Sequence, residues 1–104
     1  MRSITGAWSG LLNGDDGVPV ELADYADRSF QVQGAPGVGF SLTIEGSNDG
    51  TNYVALTDPQ GNALTFTAVS KIEQVEEVCR YMRPRVTAGD GTTNVVVTMF
   101  GRRV

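Results

Sequence analysis

The run GFSLTIEGSNDGTNYVAL at residues 39–56 places the tightest constraint on how this chain can fold. Phe40, Leu42 and Ile44 alternate with Ser41, Thr43 and Glu45. A period of two residues is the mark of a strand with one buried face. The strand predicts burial of the three apolar side chains and exposure of the three polar ones. It runs into a cluster built on Asn48, Asp49 and Gly50, followed by a second apolar run from Tyr53. Asn and Gly accept positive φ, and an Asp carboxylate bonds its own backbone, so the cluster reads as a tight hairpin connection.

The same grammar recurs along the chain. Val18, Val20 and Leu22 alternate with Pro19 and Glu21, and Pro19, lacking a donor, belongs at a sheet edge. Phe30 and Val32 alternate with Ser29, Gln31 and Gln33; Leu64, Phe66 and Ala68 share one face of a later run. Met82, Pro84 and Val86 alternate with Tyr81, Arg83 and Arg85, and residues 95–100 form a β-branched last strand. Residues 71–79 are ambiguous, because Ile72, Val75, Val78 and Cys79 also fit one or two turns of helix. Residues 23–27 read as a helical turn or loop, and residues 1–12 as a first strand or an extended arm. The result is a single all-β domain over residues 1–104, with seven or eight short strands, turn signals every eight to twelve residues and at most one short helix near 71–79. That spacing suits an antiparallel β-sandwich or a barrel.

Composition narrows the chemistry. The chain has no histidine, which removes Ser-His and Cys-His nucleophile pairs and most zinc sites. Cys79 excludes an intrachain disulfide and has Glu73, Glu76 and Glu77 nearby, which would hold a thiol in its protonated form. Asn48, Asp49 and Asn52 are oxygen-rich, but an all-protein calcium site needs six to eight oxygens and several carboxylates; turn chemistry accounts for them. The expectation is no catalytic residue, no metal and no cofactor: not an enzyme. There is no basic patch with interleaved aromatics to suggest nucleic acid and no apolar run long enough for a membrane helix. No secretion signal is visible at the N-terminus, as expected of a protein made in a cytoplasm. Trp8, Tyr25, Tyr53 and Tyr81 leave a sugar-binding face open as an alternative.

Charge is uneven. Residues 1–70 carry two bases against eight acids, and residues 71–104 carry six bases against four acids, for a net charge of −4. Tyr81, Arg83 and Arg85 on one strand face are residue types enriched at protein interfaces. They either form such a surface or pair with the acidic first half of the same chain. Trp8, Leu11 and Leu12, near a chain end, are the second candidate interface, reaching to a neighbouring subunit.

Two stretches carry a resemblance. SNDGTNY at 47–53, followed by RYMRPRVT at 80–87, is similar to the paired signature of discoidin-type jelly rolls. The longer strings from residue 45 to 65 and from 72 to 94 resemble small proteins of tailed bacteriophages, of the capsid decoration or cement kind or other minor virion proteins. This chain lacks the disulfide of discoidin domains and any evident counterpart of their long apolar spikes. The resemblance therefore implies a jelly-roll sandwich but neither a membrane nor a glycan ligand. It also implies a virion protein on the capsid surface whose partners are the major capsid protein and copies of itself, as a homo-oligomer (dimer or trimer). The alternative is a carbohydrate-binding or tail-associated adsorption module.

Overall fold

Alternating side chains become paired strands in the computed structural model, which describes residues 3–22 and 25–103. Nine strands follow in order: β1 (Ser3–Leu11), β2 (Val20–Glu21), β3 (Asp27–Ala35), β4 (Ser41–Ser47), β5 (Val54–Ala55), β6 (Thr65–Phe66), β7 (Lys71–Gln74), β8 (Tyr81–Ala88) and β9 (Asn94–Arg102). No helix occurs among the described residues.

The strands form two antiparallel sheets, one in the order β1-β9-β3-β7 and the other β2-β8-β4-β5, with β6 also paired to β4. First pairs with last, second with next to last: β1 with β9, β2 with β8, β3 with β7, and β4 with β5 and β6. This is one long hairpin wrapped on itself, with its two arms crossing between the sheets while β4, β5 and β6 stay in one, and the two sheets pack as a sandwich.

The inner faces interdigitate. Trp8, Leu11, Phe30, Val32, Val95, Val97 and Met99 from the first sheet meet Leu42, Ile44, Phe66, Met82 and Val86 from the second, with Leu22, Leu56 and Leu64 closing the ends. Trp8 and Phe30 stack with centroids 6.1 Å apart, and the indole Nε1 donates to the Val18 carbonyl at 2.7 Å. Gly46 is required by space: a Cβ there would lie 2.6 Å from the Cys79 Sγ. Gly50 has φ of 76° and backs onto the Tyr81 ring, so the turn needs glycine for its conformation.

Several sequence expectations are revised. Residues 71–79 hold no helix. Residues 71–74 pair with β3, Val75 and Cys79 turn inward, and Ile72 and Val78 stay exposed. The edge of β3 offers four residues a ladder, and that outweighs a weak helical period. Val18 is 78% exposed, so the inward alternation of that run begins later, and Leu22 is fully buried. Glu45, expected outside, is only 9% exposed, because β5 and two arginines cover it. Residues 3–11 lie home on β9 as an ordinary strand, while Met1 and Arg2 fall outside the described residues. The expected helical turn or loop at residues 23–27 falls partly outside them too: Ala23 and Asp24 are not described, Tyr25 and Ala26 have no regular structure, and Asp27 opens β3.

Candidate functional site

Strand β8 places Met82, Pro84 and Val86 in the core and aims Tyr81, Arg83 and Arg85 outward. The ladder decides what those arginines meet. Glu45 of β4 is directly opposite Arg83, and Asp16, in the connection between β1 and β2, bridges to Arg85. Arg83 Nε donates to Glu45 Oε1 at 3.0 Å, and Arg85 Nη1 lies 3.5 Å from Glu45 Oε2. Asp16 reaches Arg85 at 3.4 Å and Arg83 at 3.9 Å. The Arg83 guanidinium also sits 4.0 Å above the Tyr53 ring, within cation–π range.

Two acids and two bases thus form a neutral, mutually locked network. An isolated exposed ion pair contributes little, but several half-buried charges that share partners hold one another in place. Each guanidinium keeps N–H donors that the network does not use. The surface therefore presents fixed donors beside two tyrosine rings, with no free cation among the described residues of this patch. At its end Arg80 pairs with Glu21 at 2.9 Å and stands over Tyr81.

The turn beside this patch is held by Asp49. Its Oδ1 accepts from Ser47 Oγ and from the amides of Thr51 and Asn52, and its Oδ2 accepts from Asn52 Nδ2, all at 2.8 Å. Asn48 Oδ1 accepts from the Arg80 amide and ties the turn to the start of β8. Asp90 does similar work at the other end of the sandwich: it accepts from Val38, from the Thr92 amide and from the Thr92 hydroxyl. The backbone amides of Asn52 and Thr51 pull the Asp49 carboxyl well below its usual range, and the Thr92 hydroxyl and the Val38 amide lower Asp90 to about 2.

Both carboxylates therefore stabilise the folded state above their ordinary value of 3.8, and that stability is lost as pH falls toward about 2. Melting temperature should drop across this window. Asp49→Asn and Asp90→Asn should each melt lower than the parent at neutral pH and lose less on acidification. A parallel acid profile for variants and parent would contradict the assignment.

Cys79 is buried; burial pushes its thiol up, partly opposed by the neighbouring Arg28. Glu77 is spent on Thr57, accepting from its amide at 2.8 Å and its hydroxyl at 2.5 Å. Among the described residues, no three His, Cys, Asp or Glu side chains converge as a metal site.

The residues singled out in the sequence divide. Tyr81, Arg83 and Arg85 share one outward face with Tyr53. Trp8 and Leu11 are core residues of their own chain, and only Leu12 of that group is exposed. The four aromatics of the sugar reading do not share a surface, since Trp8 is interior and Tyr25 packs beside Gly101 at the end of the other sheet. Asp16 and Glu45 join this face only through register, which a single sequence does not display, and Tyr53, offered by the sequence only within the sugar reading, comes under Arg83 the same way. Arg28 is 2% exposed; it is in phase with Phe30 and Val32, but its charge argued for the surface.

No family model matches this chain, and no curated protein matches it. Among solved structures it is similar to the SPBc2 prophage-derived protein YomS, with a TM-score of 0.74 at 8% identity, covering 97% of this chain and 95% of that one. A likeness at that identity is one of fold.

Proposed function

We propose that this chain is a non-enzymatic phage structural protein that docks on the capsid surface and stabilises the shell, with the major capsid protein as its partner. The observation that carries the reading is the fold shared end to end with a prophage-derived protein, taken with the phage-like strings around the central hairpin and β8. The outer face of β8 supplies the docking chemistry. Its Arg83 and Arg85 side chains are already held by Glu45 and Asp16, so little of their freedom is lost on binding. A protein that binds only the assembled lattice stabilises it in proportion to occupancy, by mass action.

Purified protein mixed with undecorated heads of the phage that encodes it tests this. Co-sedimentation at many copies per particle and a raised shell melting temperature are the expected results. Arg83→Ala with Arg85→Ala should weaken both. Failure to bind heads, or binding to tails or host cell-surface sugar instead, would overturn the proposal in favour of an adsorption module.

A further inference from the structure

At one end of the sandwich the turn after β4 meets the connection from β7 to β8, joined by Asn48 and the Arg80 amide. Asn48, Val78 and Arg80 rim an open cleft there of about 370 Å³, and Arg28 and Cys79 are its floor. The rim residues are exposed and the floor residues buried. The guanidinium on the floor is not balanced. Its Nε and Nη2 donate to the neutral carbonyls of Tyr25 and Leu22. Its Nη1 meets the sulfurs of Cys79 at 4.0 Å and Met82 at 3.9 Å, and sulfur is a weak acceptor. Among the described residues no carboxylate forms an ion pair with Arg28. Cys79 does not stand in for one, because burial pushes its thiol up and keeps it neutral. A buried charge ordinarily has an opposite charge beside it.

The walls supply further donors. Asn48 uses Oδ1 on the Arg80 amide, which leaves its Nδ2. Arg80 uses Nε on Glu21, which leaves its two Nη groups. Glu77, the acid felt by Cys79, is occupied by Thr57.

We infer that this cleft binds a carboxylate carried on a short apolar stem. The carboxylate supplies the acceptor and the charge that Nη1 of Arg28 lacks, through charge-assisted hydrogen bonds. Val78, 73% exposed, and the Cys79 side chain cover the stem, which removes apolar surface from water on both sides. A neutral ligand brings no counter-charge, and phosphate brings no stem. Two sources share this chemistry: a free short-chain acid and the C-terminal residue of a peptide. The inference does not depend on the capsid reading, since its test uses this protein and small probes alone.

Titration of isotope-labelled protein with butyrate and with N-acetylvaline, at neutral pH and constant ionic strength, tests it by amide NMR shifts. Saturable shifts at Asn48, Val78, Cys79 and Arg80 are expected, and the tighter of the two acids identifies the source as free acid or chain end. Butyramide, N-acetylvalinamide and phosphate should give none. Val78→Asp sets a competing negative charge on the exposed rim without touching the core and should weaken binding about tenfold or more. Arg28→Met, its folding checked by the same spectra, should do likewise. Ile72→Asp, exposed on β7, should bind as the parent does. No saturable shift from either acid would overturn the inference. So would phosphate or an amide that binds as well as the acids, a Val78→Asp variant that binds as the parent, or an Ile72→Asp variant that does not.

Discussion

Replacing Arg28 with alanine is expected to cost about 3–5 kcal/mol, from buried carbonyls left without a donor together with a large-to-small cavity. The side chain is 2% exposed. Its Nε donates to the Tyr25 carbonyl at 2.6 Å and its Nη2 to the Leu22 carbonyl at 3.0 Å, while Nη1 faces the sulfurs of Cys79 and Met82. One guanidinium thus ties the β2–β3 connection to the inner face of β8. Alanine leaves two carbonyls without that donor and opens a cavity beneath them, and both effects add. Burial lowers the pKa of Arg28, but an arginine starts so high that it stays charged through the working pH range. Arg28→Met, which refills the volume but supplies no donor, should fall between parent and alanine. Urea denaturation would rank the three. A loss for Arg28→Ala within about 0.5 kcal/mol, the ordinary surface range, would show that the carbonyls find other donors.

The second large effect is expected at Leu42. It is fully buried on the central strand of its sheet, between Val86 and Phe66. Leu42→Ala should cost about 2–5 kcal/mol, with the cavity deciding where in that range it falls. Glu45, three residues on, is the instructive comparison. As an outward strand residue it would be worth about 0.5 kcal/mol at most. Its place between Arg83 and Arg85 raises the expectation for Glu45→Ala to about 1–3 kcal/mol, because two guanidiniums lose their shared acceptor. A double-mutant cycle with Arg83→Ala should show coupling above about 0.5 kcal/mol, as for other residues in direct contact. A Leu42→Ala loss within about 0.5 kcal/mol, the ordinary surface range, would put the strand register off by one.

Alternation is a local property, and the sequence by itself determined what depends on it. Phe40, Leu42 and Ile44 face inward, Tyr81, Arg83 and Arg85 face outward, and the Asn48-Asp49-Gly50 turn separates two strands, because each follows from the chemistry of neighbours two to four residues apart. Pairing is different. That Glu45 meets Arg83 across 38 residues, that Asp16 meets Arg85, and that residues 71–74 join a sheet edge instead of coiling depend on which strands lie side by side. Arg28 shows the same limit. Its parity pointed inward while its charge pointed outward, and only the carbonyls of Leu22 and Tyr25, brought over it by the β2–β3 connection, decided between them. Ladder hydrogen bonds and burial reward contacts between segments far apart in sequence, so the tertiary structure alone settled which charges are paired with which.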